Sequence, residues 1–218
     1  MKLISTLLFL FLNFALSAQT QMDSVVFDGR LILTDGIYAT FEELVNNTPR
    51  FVSAKLEFEK NNKSIDLNNL YYFTKSGTRL KYINPLFATV VHGHLAIYHS
   101  SQMNSVFVRA ALSTFIVQEV VTQTYNSSSD PSGMGGGVPV TTTTIEMNIH
   151  FLDLKTGNIL RVEKENLDPI IQRDSTLYST FKKIKSDTNH KKSYPYISQY
   201  NDRNKFYIKV IVKPEEEE

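Results

Sequence analysis

The sequence has no cysteine and no tryptophan in 218 residues, and its charges nearly cancel, with 23 basic against 22 acidic side chains and a net +1. Without cysteine there can be no disulfide, no thiolate metal site, no thiol nucleophile and no lipid-modified N-terminal cysteine. A net charge so close to zero makes no chain-wide case for nucleic acid or for an acidic substrate. The Gly-x-Ser-x-Gly elbow of serine hydrolases is missing, as is the His-Glu-x-x-His helix of zinc proteases. What is present is a globular composition, 42% hydrophobic and 21% charged, too apolar for a disordered chain. The length fits one domain or two small ones.

The first residues read as an address. Met1 and Lys2 give a minimal positive start, Leu3 to Leu16 is apolar apart from Ser5, Thr6 and Asn13, and Ser17-Ala18-Gln19 supplies a small residue for cleavage. A membrane span needs about 20 apolar residues, more than this segment offers. Residues 1–18 are therefore expected to be a secretory signal peptide. The mature chain would be 19–218, periplasmic or extracellular, with no transmembrane segment. It loses Lys2, which leaves 22 basic and 22 acidic residues. At that size roughly 70% of the unfolded surface can be buried, enough for a core that needs no disulfides.

Along the mature chain, Val25–Leu33 reads as a short strand pair around Asp28-Gly29, and Asp35-Gly36 as a turn. Thr40-Phe41-Glu42-Glu43 is a capping box for a short helix with Phe41, Leu44 and Val45 on its apolar face, ended by Pro49. From Phe51 the pattern becomes period two: Val52, Ala54, Leu56 and Phe58 alternate with polar residues. Further strands are predicted at Leu70–Thr74, Arg79–Ile83, Ala88–Tyr98, Val106–Tyr125, Thr141–Leu154 and Ile159–Glu163, with Lys155–Asn158 as a hairpin turn. The Ser-, Gly- and Pro-rich stretch 127–139 reads as a long mobile loop.

Helical spacing returns after Leu167. Asp168 is the expected N-cap, Pro169 the first helical residue, and Ile170, Leu177, Phe181 and Ile184 the buried face. A second helix is expected at Tyr196–Asn201, a last strand at Phe206–Val212, and a solvated acidic tail at 215–218. Strands first and helices later argue α+β. The expected build is one domain over 19–214: mainly an antiparallel curved sheet or partly open β-barrel, with a short N-terminal helix and C-terminal helices.

Several patches resemble a known group. Gly36-Ile37-Tyr38, Thr40-Phe41-Glu42-Glu43-Leu44 and Asn47-Thr48-Pro49 resemble a motif near the mature N-terminus of uncharacterised secreted proteins of Bacteroidota. Asp153-Leu154-Lys155-Thr156-Gly157 is similar to their Asp-x-x-x-Gly turn, and Leu177-Tyr178, Phe181 and Tyr200-Asn201 to their helical region. The triplets Asp23-Ser24-Val25 and Asp174-Ser175-Thr176 look like the O-glycosylation pattern of such proteins. The resemblance implies export and a shared build, and it carries over no catalytic residue.

The sharpest polar feature is His92-Gly93-His94. On a strand, residues two apart share a face, so both imidazoles could approach one ion, with Glu146 and His150 as further ligands if their strand lies nearby. The commoner meaning is a pair of strand-face histidines beside a packing glycine, and no metal or other cofactor is expected. His99, five residues from His94, faces the other way. Gly133–Gly137 lacks the Lys and helix of a phosphate loop. The pairs Glu42/Glu43 and Glu57/Glu59 read as solvated faces.

Charge is uneven: −3 over 19–154, +7 over 155–214 with Lys182, Lys183, Lys185, Lys191 and Lys192, and −4 over the final glutamates. That basic region reads as the wet face of a helix.

The expected function is an exported, non-enzymatic binding or accessory protein whose partner is an envelope protein or glycan and not nucleic acid. The alternatives are a hydrolase-type enzyme, metal-assisted at His92 and His94, and an assembly subunit that uses the long hairpin Val106–Leu154. N-terminal sequencing of protein from its native host should begin at Gln19; a chain that retains residues 1–18 refutes the leader.

Overall fold

Two tight turns dictate much of the topology. A computed structural model gives the fold and describes residues 22–52, 71–73, 76–81, 86–127, 138–185 and 191–211. His92 (φ 50°) and Gly93 (φ 75°) both take left-handed backbone, as do Ser100 (φ 53°) and Ser101 (φ 61°). A positive φ at both central residues marks the two-residue turn whose twist matches a β-hairpin. The stretch predicted as one strand at 88–98 is thereby folded into β6 (Ala88–Val91) and β7 (His94–His99), followed by β8 (Gln102–Val108). The stretch predicted as one strand from Val106 breaks at Arg109–Ala111, and β9 (Leu112–Ser127) follows.

These strands continue as β10 (Val138–Asp153) and β11 (Ile159–Arg161). On the other side lie β2 (Gly36–Tyr38) and β3 (Phe51–Val52). The eight form one sheet in the order β11-β10-β9-β8-β7-β6-β2-β3, antiparallel throughout. The sheet is open, with β11 and β3 as its edges, and is not closed into a barrel. Two separate pairs complete the strands: β4 (Tyr71–Phe73) with β5 (Arg79–Lys81), and β1 (Met22–Val26) with β12 (Tyr207–Ile211). So β1 pairs with the C-terminal strand and not with the segment after Asp28-Gly29. Most of the alternating strand expected beyond Val52, and the loop core 128–137, lie outside the described residues; Ser127, Val138 and Pro139 belong to the hairpin strands.

Helix α1 (Phe41–Val45) starts as its capping residues require: Glu43 N–H donates to Thr40 Oγ1 at 3.2 Å. The reciprocal bond differs from expectation, because Glu43 Oε2 accepts from Ala39 N–H at 2.6 Å. The helix ends before Pro49, on Asn47 in left-handed backbone (φ 50°). Thr48 N–H reaches Glu43 O and Asn47 N–H reaches Leu44 O, which is the Schellman closure. The Asn47 side chain is used twice more: its Oδ1 accepts from Thr34 N–H at 2.8 Å and from the Tyr38 hydroxyl at 2.9 Å. Gly36 is not a turn residue but a close approach, since a Cβ there would stand 2.3 Å from Phe51 O.

The sheet has a core on each face. One gathers Phe27, Tyr38, Leu44, Val90, Ile97, Phe115, Val117 and Leu152 under α1 and the N-terminal segment. The other gathers Leu112, Phe151, Leu167, Ile170, Leu177, Phe181 and Ile197 under three C-terminal helices: α2 (Lys164–Ile171), α3 (Ser175–Phe181) and α4 (Tyr194–Arg203). The one helix predicted from Asp168 is thus two. Pro169 sits inside α2, and the buried triple Leu167, Ile170, Ile171 outweighs its missing donor. The working N-cap is Asp174, which accepts from Leu177 N–H at 3.0 Å. Arg203 binds the same carboxylate and holds it well below the usual carboxylate range.

Two polar anchors tie helices to strands. Asn201 pairs with the Leu112 backbone as a strand would, accepting from its N–H (2.8 Å) and donating to its carbonyl (3.0 Å). Asp153, buried, accepts from Lys155 N–H (3.0 Å), Thr156 Oγ1 (2.9 Å) and Arg173 (2.9 Å). Arg173 reaches solvent, so removing Asp153 loses hydrogen bonds to a buried carboxylate, roughly 1.5–3 kcal/mol. Asp153→Ala should lower urea-unfolding stability by about that much; a loss under about 1 kcal/mol would show the turn to be held otherwise.

Candidate functional site

Strands β9 and β10 pair without a break from Leu112↔Asp153 to Ser127↔Val138. Their neighbours stop early. β8 reaches only Val106↔Phe115 and Val108↔Thr114, and β11 covers only His150 to Leu152. From Gln118↔Met147 outward, ten cross-strand pairs form a two-stranded ribbon that no other described strand flanks. At about 3.4 Å per residue it reaches roughly 30 Å. The side chain of Gln102 caps the first bare carbonyl, Gln118 O, at 3.0 Å.

Directly paired residues share a face. Ile116 with Ile149, Gln118 with Met147, and Val120 with Ile145 therefore line the face that the helices cover further in. Past the helices this face is open: Val120 is 70%, Ile145 68%, Met147 67%, Phe107 50% and Ile116 46% exposed. Where it leaves the domain the stripe borders a shallow hollow of about 460 Å³, floored by Phe107, Ile116 and Met147 and rimmed by Gln102 and Ser105. No ionisable side chain lies on this face from Ile116 to Thr124 or from Thr141 to Ile149. A cross-strand threonine pair, Thr124 and Thr141 (Oγ1 to Oγ1 3.2 Å), continues the row.

The opposite face holds a polar cluster at the ribbon's base. His150, 5% exposed, lies against Phe115 (rings stacked, 6.1 Å) and His99 (5.2 Å). Its Nε2 is 3.6 Å from Glu119 Oε1, and its Nδ1 is 3.4 Å from Asn148 O. Asn148 donates to Glu119 (2.8 Å) and accepts from Arg161 (2.6 Å). Arg161 Nε lies 3.3 Å from Glu163 Oε1, within ion-pair range but without hydrogen-bond alignment. Burial pushes the His150 imidazole below its ordinary pKa, helped by His99 and opposed by the Asn148 carbonyl and Glu119. Burial does the same to His99, again against Glu119. At both rings Glu119 favours the protonated form and burial outweighs it. The cluster can accept protons, and it gathers two histidines with one carboxylate.

The residues singled out in the sequence fall elsewhere. His92 is in the β6–β7 turn, where its N–H and that of Gly93 donate to the Asp35 carboxylate at 2.9 and 3.1 Å. His92 and His94 are thus not alternate residues of one strand, and the shared-face argument does not apply to them. His99 and His150, from strands β7 and β10, are the histidines that meet. Among the described residues no group of three or more His, Asp or Glu is placed to hold a metal ion. Lys182, Lys183, Lys185, Lys191 and Lys192 are exposed around the end of α3 and the approach to α4, as are Ser24 and Ser175 of the two triplets. A second concavity of about 220 Å³ lies between β1, the Arg109–Ala111 turn and α4. Arg109 there is engaged with the carbonyls of Gly29 (2.8 Å) and Leu31 (3.1 Å).

Sequence reasoning missed the apolar stripe. Its signal was the run Phe115-Ile116-Val117 followed by Val120-Val121, apolar on both parities, which marks a strand covered on both faces. Here the second cover ends partway.

These features define an α+β protein with an open eight-stranded antiparallel sheet, two cores and a projecting ribbon. Residues 36–204 match the Family of unknown function (DUF6563), and the chain belongs to that family. No curated protein and no solved structure matches it. Among the described residues no helix is long and apolar enough to cross a membrane.

The cluster makes stability pH-dependent with a definite sign. Both histidines hold protons less readily folded than unfolded, so below the ordinary value of 6.5 the unfolded chain binds more protons. Their contribution is full above 6.5 and is lost as pH falls through it toward the depressed folded values. Between about pH 7.5 and about pH 5.5 the urea midpoint should fall, and His150→Phe should flatten that slope. Equal slopes in parent and variant would remove His150 from the effect.

Proposed function

We propose that this is an exported protein that works by binding, with the β9–β10 ribbon as its contact element. The leader pattern of residues 1–18 supports export, as does the resemblance of Gly36-Ile37-Tyr38 and Thr40–Leu44 to secreted Bacteroidota proteins. One observation carries the binding reading: ten regular cross-strand pairs that add nothing to either core and leave an apolar face in water. Ordering them costs conformational entropy that no core burial among the described residues offsets. A contact elsewhere supplies the compensating burial.

The chemistry of the ribbon favours a polypeptide partner over a glycan. Its two bare edges offer backbone donors and acceptors at strand spacing, which another strand satisfies in register. Along the ribbon its open face is aliphatic, with Phe107 at its base, and it lacks the charged donors that sugar hydroxyls use. The enzyme reading draws less support, because His92 belongs to a turn and shares no strand face with His94, and His150 is buried against Phe115.

Replacing Val120–Ile145 by an Asn-Gly turn tests this. The shortened chain should keep the parent's unfolding midpoint, because the described residues it removes belong to neither core and Glu119 keeps its bond with Asn148. In the native host it should lose the parent's envelope-bound fraction. An unchanged distribution between bound and free fractions would sink the ribbon as the contact element.

A further inference from the structure

We propose that the ribbon's apolar stripe is an isologous interface, so that the partner is a second copy of this chain. The inference rests on the binding reading above and specifies what is bound. In a twofold contact the same patch serves both copies, and residue i of one meets residue j of the other and the reverse. The stripe has the two complementary parts that this needs. Val120 and Ile145, opposite each other on the ribbon, form a ridge that stands out from the domain. Inward of the ridge, Phe107, Ile116 and Met147 floor the hollow of about 460 Å³. That volume accommodates two aliphatic side chains. With the ribbons crossed face to face, the ridge of each copy seats in the hollow of the other.

Charge and area both select a second copy. The face carries no ionisable group along the ribbon, so superposing it on itself brings no like charges together. An acidic or basic partner would gain nothing there, whereas an identical aliphatic face gains on both sides. From their exposures, the five large side chains leave roughly 500 Å² of apolar surface in water, near the upper limit for the largest patch on a monomer. Two such patches together bury about 1,000 Å², the lower bound for a specific interface. The expected association is therefore weak, with a dissociation constant on the order of micromolar.

Sedimentation of the mature chain from about 1 to about 100 μM should show a reversible monomer–dimer equilibrium. Val120→Glu together with Ile145→Glu should abolish it, and circular dichroism and the urea midpoint should stay those of the parent because neither side chain touches a core. Because the chain has no cysteine, single cysteines report the geometry. Mixed Val120→Cys and Met147→Cys chains should oxidise to a heterodimer faster than either does alone. A parent that stays monomeric throughout overturns self-pairing and leaves the ribbon free for a foreign chain. A dimer that survives the double glutamate variant overturns the placement. Envelope retention of the double glutamate variant at the parent's level, together with loss of its dimer, would separate self-pairing from the binding reading.

Discussion

The fold depends most on a single buried carboxylate. Asp153 ends β10, and its two oxygens close the β10–β11 turn through Lys155 N–H and Thr156 Oγ1 while holding Arg173 from the segment between α2 and α3. A buried charge survives only when paired and hydrogen-bonded, so the strand, the turn and the helix pair are fixed together or not at all. The turn also delivers Gly157 (φ 78°) against the Phe41 ring, where a Cβ would come within 2.7 Å. The helix at the start of the domain is thereby packed onto the turn near its end. The Thr-Phe-Glu-Glu patch and the Asp-x-x-x-Gly patch, far apart in sequence, are two sides of one contact.

Much of the fold was legible because local chemistry and tertiary packing agreed. The Thr40 cap, the Lys155–Asn158 turn, the strands of the hairpin and the helix carrying Tyr200 and Asn201 were all visible in the residues. What was not legible had physical reasons. His92-Gly93 and Ser100-Ser101 make hairpin turns without the Asn-Gly or Asp-Gly signature, because only backbone conformation is required; at His92-Gly93 the Asp35 carboxylate supplies the stabilising acceptor from elsewhere. The Pro169 boundary was misplaced because burial of Leu167, Ile170 and Ile171 outweighs one missing amide donor. The pairing of β1 with β12 joins segments far apart in the sequence, and no local pattern encodes it.

The candidate site was less legible than the fold, for a related reason. Sequence spacing brought forward His92 and His94, which are neighbours in sequence and belong to a turn. The histidines that meet, His99 and His150, are brought together by strand register across β7, β8, β9 and β10, and register is a property of the whole sheet. The stripe followed the same logic. Each of its residues is ordinary alone, and only the early end of β8 and of the helical cover makes the row conspicuous.

The ribbon is also a mechanical element. It is a cantilever, flanked beyond its root by no other described strand and clamped at one end. A sideways load at its tip produces the largest bending moment where β8 and β11 let go, beside the Gln102 brace and the Glu119–Asn148–Arg161 links. A pull along its axis passes instead through both strands to their roots, where Asn201 grips Leu112 and Arg173 grips Asp153. The clamps that stabilise the fold are the points through which force at the tip enters the domain.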